Sequence, residues 1–210
     1  MRSRISKLVM AGNTNDFVCT IHGFCVKVLR RDIHRIGFPK TFTILDDDDA
    51  ETLAKQVLEL HGLDRTKKTI KDLRSEVAKF KRIICPDYID QYILPNAPKY
   101  VDTADFSPVE TYIHYQALNY CLEFDDIINF VLYIFHTYME VREYWQRKLN
   151  YIMVDEVQDC NRSDWAIMEI ISDFYNNLFI VGDPDQAIYE WRGARPQDFI
   201  NWECDDTIIM

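Results

Sequence analysis

Glycine is scarce in this chain, at six residues of 210. The six are Gly12, Gly23, Gly37, Gly62, Gly182 and Gly193, and none is followed by lysine. A phosphate-cradling loop of the Gly-x-x-x-x-Gly-Lys-Ser/Thr type needs glycines that let backbone N–H groups approach the phosphates and a lysine that reaches the terminal ones. These 210 residues therefore carry no such loop.

Long apolar runs and paired cysteines are also lacking. No apolar run approaches the roughly 20 residues of a membrane-spanning helix, and the first residues lack the basic-then-apolar order of a signal peptide. The six cysteines form no Cys-x-x-Cys pair and have no histidine cluster beside them. This pattern favours a cytoplasmic protein with reduced, mostly buried thiols, without a membrane span, a disulfide frame or a cysteine metal site.

The net charge is -10, an excess of acid that opposes general nucleic-acid binding, because lysine and arginine supply most of the non-specific affinity for phosphate. Basic groups nevertheless cluster locally, as at Arg30, Arg31 and Arg35, and again at Lys67, Lys68 and Lys71. Each cluster is either a solvated face or a narrow contact track. Overall charge bears on association and not on fold.

An acidic pair follows a short apolar run near the end of the chain. Residues 151–154 (Tyr-Ile-Met-Val) do not alternate with polar residues, which predicts a parallel strand buried on both faces. Asp155 and Glu156 then emerge at the strand's carboxyl end, where open α/β sheets bind ligands. A carboxylate at Asp155 suits Mg2+, and Glu156 could orient and deprotonate an attacking water. The alternative is a solvated acidic turn after a core strand.

A second apolar run, residues 178–181, is followed by Gly182 and Asp183. It predicts another buried strand that ends in a sharp turn. Gln186 can donate to a terminal phosphate oxygen or accept from a positioned water. Tyr189, Trp191 and Arg192 form the type of aromatic and guanidinium group on which unpaired bases stack. The alternative for the two aromatic residues is packing at a strand end.

Together, residues 155–159 and 182–194 resemble motifs II and III of superfamily 1 DNA helicases of the UvrD/Rep type. Three upstream segments resemble the family in the same order. Residues 20–25 resemble its Thr-Phe-His-x-Phe segment, residues 42–46 the entry to its helical insertion, and residues 122–128 its Phe-Asp-Asp-Leu segment. The resemblance is specific from about residue 151 to 194 and looser before it.

The resemblance implies an ATP hydrolase that uses ATP and Mg2+. Asp155 would bind the metal and the nucleotide, while Glu156 and Gln186 would be catalytic, with Gln186 also contacting the terminal phosphate. The implied DNA-binding residues are Thr20, His22, Tyr189, Trp191 and Arg192. The implied partners are single-stranded DNA, duplex/single-strand junctions, and other replication or repair proteins.

The fold implied by the resemblance is an incomplete RecA-like α/β domain of the P-loop NTPase class, with a parallel sheet, a helical insertion and helix-rich content overall. Residues 1–40 and 150–210 would form the motor domain, and residues 41–149 the inserted subdomain. Residues 1–5 resemble an interior helix of the family, so we expect a fragment of a longer protein.

Local signals predict the first elements. Residues 17–21 are expected to form a strand that runs into a helix near His22. Among the aspartates at 46–49, Asp48 and Glu51 have the spacing of an N-cap and N3 pair, and the helix that they open is expected to end at Gly62.

Further helices are predicted by periodicity and caps. Leu73, Val77, Phe80 and Ile84 repeat at helical spacing over residues 70–84. Ser107 and Glu110 form a capping box with a proline between them, and residues 161–164 are expected to cap another helix.

The leading prediction is therefore part of an ATP-dependent DNA helicase or translocase that is inactive as this chain alone, and the resemblance implies 3' to 5' movement on single-stranded DNA in the complete protein. The alternative is a non-catalytic, helicase-like module that binds single-stranded DNA or a protein partner. A weaker third hypothesis is a metal-dependent nuclease that uses Asp155, Glu156 and Asp159, but it leaves residues 186–194 unexplained.

Overall fold

The computed structural model describes residues 17–83, 89–93, 105–189, 193–203 and 206–208. The chain forms two compact units, Met1–Ile134 and Phe135–Met210. It is helix-rich and contains two small parallel sheets, as the sequence predicts at this level. No helix in the described ranges is long and apolar enough to cross a membrane.

The first unit is built mainly of helices. Its elements are α1 (Ile21–Asp32), a 3-10 turn (Ile33–Ile36), β1 (Thr43–Ile44), α2 (Asp47–Leu60), α3 (Lys67–Ile83), a π-helical turn (Ile89–Ile93), α4 (Pro108–Leu118), β2 (Cys121–Leu122) and α5 (Phe124–Thr137), which continues into the second unit. Helices α2, α3 and α4 pack against one another. Strands β1 and β2 pair in parallel. Phe38, Phe42, Tyr112 and Phe130 are among the largest side chains of its buried core.

The start of α1 differs from the prediction, since residues 17–20 do not form a strand. Thr20 is the N-cap of α1, and its side-chain oxygen accepts a hydrogen bond from the Gly23 N–H at 3.1 Å. Phe17 is 39% exposed, and the Lys27 ammonium lies over its ring. A threonine that caps a helix needs an extended backbone at one residue only, so the apolar run before it did not require a strand.

The helix after the aspartate cluster is present, but its predicted N-cap was wrong. Asp46 is the N-cap, and its carboxylate accepts from the Asp49 N–H at 2.8 Å. Asp48 lies inside the first turn, where the helix dipole still favours negative charge. The helix ends at Leu60, and Gly62 follows with a φ of +64°.

The remaining helix predictions agree with the structure. Helix α3 covers the predicted periodic segment as far as Ile83, with Leu73 and Val77 buried. Ser107 and Glu110 form the expected capping box at the start of α4. Asn161 and Asp164 form a second one in the other unit. Ile84 lies outside the described residues.

The second unit contains short helices around a two-stranded parallel sheet. Its elements are α6 (Met139–Lys148), β3 (Ile152–Val154), a 3-10 turn (Val157–Asp159), α7 (Arg162–Ser172), β4 (Leu178–Ile180), another 3-10 turn (Pro184–Gln186) and α8 (Pro196–Ile200). Trp165 of α7 is 3% exposed and stacks on Trp202, with ring centroids 5.0 Å apart.

The predicted burial of β3 on both faces was wrong for the described residues, and so was the predicted burial of β4. Met153 is 75% exposed and Phe179 is 51% exposed, and the two are register partners. Alternate residues of a strand point to opposite faces, so these two side chains share one face of the sheet. The strand residues on the other face are half-buried.

Candidate nucleotide site and nucleic-acid contacts

The two strands of the second unit end side by side. Ile152, Met153 and Val154 pair in parallel with Leu178, Phe179 and Ile180. The ladder continues past the strands, because the Val181 N–H donates to the Val154 carbonyl at 2.8 Å and the Val157 N–H donates to the Val181 carbonyl at 3.0 Å. The segment with Asp155 and Glu156 therefore lies next to the segment with Gly182 and Asp183.

Glu156 adopts a left-handed backbone conformation, with φ 56° and ψ 40°. This region costs an ordinary L-residue roughly 1–2 kcal/mol. The turn brings the Glu156 N–H to 3.1 Å from the Asp155 carboxylate, to which it donates. Asp155 and Glu156 are both exposed. Strained residues of this type are concentrated at functional sites, so this conformation is consistent with a role for the acidic pair.

Gln158 joins the two strand ends. Its side chain is buried, with 1% exposure. The amide nitrogen donates to Glu156 Oε2 at 2.7 Å, and the amide oxygen accepts from the Asp183 N–H at 3.1 Å. One side chain thus uses both ends of its amide to hold the carboxylate of one segment and the backbone of the other.

Gly182 makes room for this amide. A Cβ atom at position 182 would lie 2.6 Å from Gln158 Oε1, 2.9 Å from Val157 Cγ1 and 3.2 Å from Phe199 Cε1. Contacts this short are not compatible with a side chain at the present spacing. Glycine is required here for a close approach between the two segments.

Asp183 extends the network to Gln186. Its two carboxylate oxygens accept from the Asp185 N–H at 3.0 Å and from the Gln186 amide at 2.6 Å. A continuous series of hydrogen bonds therefore runs from Glu156 through Gln158 and Asp183 to Gln186. Gln186 is exposed, so its side chain is held by the protein on one side and open to solvent on the other.

The turn after Glu156 leads into α7 through a buried thiol. Burial, with the nearby carboxylates of Asp164 and Asp159, raises the pKa of Cys160 to about 12. This thiol is protonated at neutral pH and is not a nucleophile. Oδ1 of Asp159 is buried and accepts no hydrogen bond from the part of the chain that the structure describes.

The expected DNA-binding residues fall in both units. Thr20 and His22 belong to the first unit, where Thr20 caps α1 and His22 stacks on Phe124 with ring centroids 3.8 Å apart. Tyr189 belongs to the second unit and is half-buried, and its carbonyl accepts from the Ala194 N–H. Trp191 and Arg192 lie outside the described residues.

Sequence reasoning missed Gln158 and Asp183 as parts of the site. Both are polar residues within a few positions of a predicted strand end, which is the signal that could have found them. Their role depends on the pairing of two segments that are 25 residues apart, and no local pattern encodes it.

The donor set at this edge suits a hard cation, because Asp155 is an exposed carboxylate at a strand end. One of its oxygens accepts from the Glu156 N–H, and the other takes no bond from the described residues. The described ranges contain no group of three or more histidine, cysteine, aspartate or glutamate side chains that could hold a metal by themselves. A cation here would therefore need water or phosphate oxygens as further ligands.

The acidic pair and the glutamine turn follow the carboxyl ends of two adjacent parallel strands, which is the edge where open α/β sheets bind ligands. Residues 1–205 match the UvrD/REP helicase N-terminal domain, and the chain belongs to this family. It is 33% identical to the ATP-dependent DNA helicase PcrA of Bacillus subtilis over an alignment 217 residues long. This alignment covers 98% of this chain and 27% of that protein. Identity is also 33% to PcrA of Staphylococcus aureus, with 98% of this chain and 28% of the relative covered. The chain thus spans just over a quarter of the length of these curated relatives.

Proposed function

We propose that the chain is part of the first motor domain of an ATP-dependent DNA helicase that moves 3' to 5' on single-stranded DNA. The observation that carries the proposal is the hydrogen-bonded series from Glu156 through Gln158 and Asp183 to Gln186. It links an acidic strand end to a glutamine turn, the two parts that a nucleotide hydrolase has to hold in fixed positions.

Each polar group has a distinct task in this proposal. When bound, Mg2+-ATP supplies the electrophilic terminal phosphate and the positive charge that balances it. Asp155 offers a carboxylate oxygen to the metal. Glu156 orients the attacking water and accepts its proton, a contribution worth about 10^2 to 10^4 in rate. Gln186, whose amide nitrogen donates to Asp183, is the residue proposed to contact the terminal phosphate.

The chain's own residues do not supply every part of such a site. None of its six glycines is followed by lysine, so the 210 residues offer no cradle of the glycine and lysine type for the phosphates. We therefore expect the chain alone to hydrolyse ATP and unwind DNA to no appreciable extent. The same proposal includes a RecA-like fold. In it, the motor domain consists of residues 1–40 and 150–210, and the inserted helical subdomain consists of residues 41–149.

The DNA side of the proposal uses Thr20 and His22 of the first unit and Tyr189, Trp191 and Arg192 of the second. Aromatic and guanidinium side chains hold unpaired bases by stacking, which tolerates any sequence. Single-stranded DNA and duplex/single-strand junctions are the proposed partners, together with other replication or repair proteins.

The test is a Glu156→Gln substitution in the full-length product of the gene that encodes this chain. We expect DNA-stimulated ATP hydrolysis to fall roughly 10^2- to 10^4-fold, since the proton acceptor is lost while the shape is kept. Affinity for single-stranded DNA should be unchanged. Glu169→Gln, at an exposed position on α7, is the matched control and should leave both quantities unchanged.

Two outcomes would contradict the proposal. Unchanged hydrolysis in the Glu156→Gln protein, or no hydrolysis in the wild type, would favour a non-catalytic module that binds single-stranded DNA or a protein. DNA-stimulated turnover by the 210-residue chain alone would contradict the expectation that this segment is inactive.

A further inference from the structure

The second unit contains a cavity that is lined by two tryptophans and three carboxylates. Its volume is about 390 Å³, within the range of roughly 300–1,000 Å³ that ligand pockets have. The described residues that line it are Trp165, Glu169, Asp198, Asn201, Trp202 and Glu203. None of them belongs to the hydrogen-bonded series from Glu156 to Gln186, so the cavity is a site apart from the proposed nucleotide site.

The two tryptophan rings form one aromatic wall of the cavity. Their centroids lie 5.0 Å apart with an angle of 28° between the planes, and Trp165 is 3% exposed. Trp202 is half-buried, and its N–H donates to the Phe199 carbonyl at 3.2 Å, which ties it to the end of α8. Because Trp165 covers one face of the Trp202 ring, the accessible ring surface lies on the other face and at the edges. The cavity thus offers an indole surface whose position is set by packing.

The charge around these rings is negative. Glu169 and Glu203 are exposed, and neither forms an ion pair with a described residue. Asp198 is paired with Arg195, at 3.0 Å. The part of the lining that the structure describes includes no lysine or arginine. The cavity therefore attracts a cation and repels phosphate, which disfavours a nucleic-acid backbone as its ligand.

A donor in the same wall has no acceptor. The indole nitrogen of Trp165 is buried and donates to no atom of the described residues. Buried polar groups in native proteins are nearly always hydrogen-bonded, so an unpaired one in the lining of a cavity points to an acceptor on a ligand. The ligand therefore carries an oxygen acceptor as well as positive charge. A polyamine has the charge but no such acceptor.

An arginine residue in a peptide meets these requirements together. Its guanidinium is planar and weakly hydrated, so it stacks on an indole ring and donates to carboxylates at the same time. The main chain of the peptide provides carbonyl oxygens for the Trp165 N–H. A lysine ammonium is more strongly hydrated and makes no flat contact. A second copy of this chain is a poor source of the arginine, because each copy carries a net charge of -10.

We propose that this cavity binds an arginine side chain of a protein partner, with the guanidinium on the Trp202 ring and paired with Glu169 and Glu203. Arginine and tryptophan are among the residues that most often dominate the binding energy of protein interfaces. A cavity of this size holds one side chain and its adjoining main chain, so we expect the partner to present the arginine on an exposed loop or tail. The inference is independent of nucleotide hydrolysis.

The test is a calorimetric titration of the full-length product of the gene that encodes this chain with two acetylated pentapeptides. One has a central arginine between glycines, and in the other the arginine is replaced by citrulline, which is neutral and has nearly the same shape. The arginine peptide should bind with a Kd on the order of 1 mM. The citrulline peptide should bind roughly 2- to 30-fold more weakly, the equivalent of about 0.5–2 kcal/mol for a cation on an aromatic face. Added salt should weaken binding of the arginine peptide only.

Three variants locate the binding. Trp202→Leu keeps an apolar side chain against Trp165 but has no aromatic face, so it should lose most of the preference for arginine. Glu203→Gln changes an exposed side chain that the fold does not need, and it should weaken binding of the arginine peptide by roughly 1.5- to 5-fold. Glu143→Gln removes an exposed carboxylate of α6 outside the cavity, and it should have no effect.

The failures can be told apart. If the two peptides bind the wild type equally well, or if neither binds, the cavity is not an arginine site. If Trp202→Leu keeps the full preference, arginine binds elsewhere and the proposal is wrong. If spermidine displaces the arginine peptide at the same concentration, the cavity is a general cation site and the proposal is again wrong.

The 210-residue chain distinguishes a partner from another part of the same protein. If this chain binds the arginine peptide and the full-length protein does not, a segment of the same protein fills the cavity, and the proposal of a partner is wrong. None of these outcomes bears on ATP hydrolysis by the Glu156→Gln protein, so the proposed function is tested separately.

Discussion

The buried amide of Gln158 donates to the exposed carboxylate of Glu156 at 2.7 Å, from a position two residues further along the chain. The same amide accepts from the backbone of Asp183. A side chain that was not among the predicted site residues therefore determines where the proposed proton acceptor lies relative to the second strand end.

Replacing Gln158 with methionine should weaken the second unit. The substitution keeps the volume but removes both hydrogen bonds and leaves the Asp183 N–H without its present acceptor. Since water can solvate the exposed Glu156, we expect the free energy of unfolding to fall by about 1–3 kcal/mol. Urea unfolding measures this, with Gln197→Met at an exposed position of α8 as the control. Equal stability of the two variants would argue that the amide link is unimportant.

A Gly182→Ala substitution should also disturb the buried Gln158 amide, from the neighbouring segment that carries Gly182. The added methyl group would lie 2.6 Å from Gln158 Oε1, so the amide or the backbone has to move. Overpacking of this type costs about 1–3 kcal/mol. Gly62→Asn is the control, because its Cβ would meet nothing within 4 Å and asparagine tolerates a φ of +64°. Thermal unfolding of both variants measures the difference, and a larger loss for Gly62→Asn would contradict the packing argument.

Lys81→Met should be among the most damaging single substitutions in the first unit. Lys81 is 3% exposed, and in a buried network its ammonium lies 3.0 Å from Glu123 Oε2 and 2.8 Å from Asp126 Oδ2. The substitution leaves these carboxylates without their counter-charge, and breaking such a pair costs about 3–5 kcal/mol. Lys79→Met, on an exposed position of the same helix, should change stability by about 0.5 kcal/mol or less. Chemical denaturation of the two proteins tests the prediction. Similar stabilities would mean that the network is not held by its charges.

The first unit should lose stability in alkali. The carboxylates raise the pKa of Lys81 against the effect of its burial, and burial raises the pKa of Tyr112. Both groups bind their protons more tightly in the folded protein, so their contribution is fully present below the unfolded-state pKa values of about 10 and is lost as pH rises above them. Unfolding free energies measured from pH 8 to 12 should be flat at first and then fall. In the Lys81→Met protein, the unfolding free energy should fall less steeply with pH. If it falls as steeply as in the wild type, Lys81 does not cause the loss of stability in alkali.

Local sequence patterns predicted several helix starts and one strand, because these features depend on interactions between neighbouring residues. The capping boxes at Ser107 and Asn161 and the strand after residue 151 depend on residues within one turn or one strand. The N-cap of α2 is Asp46 and not Asp48. Either aspartate could cap a helix, and sequence spacing does not decide between them.

Contacts between distant residues escaped prediction. Lys81 meets Gln116, Glu123 and Asp126 across 35 to 45 residues of chain, and Gln158 meets Asp183 across 25. Their positions became visible only when the helices and strands were placed in space. The acidic pair and Gln186 were predicted as site residues from their places near strand ends and from the motif resemblance, which carries such long-range information indirectly.

The stack between Trp165 and Trp202 has a practical consequence. Two indole rings with centroids 5.0 Å apart couple their electronic transitions, and this pair should give a paired positive and negative band in the circular dichroism spectrum. Both rings belong to the second unit, and Trp165 lies in α7, the helix that follows the turn after the acidic pair. The molecule thus contains an intrinsic optical probe that reports on the folding of one unit separately from the other, without any added label.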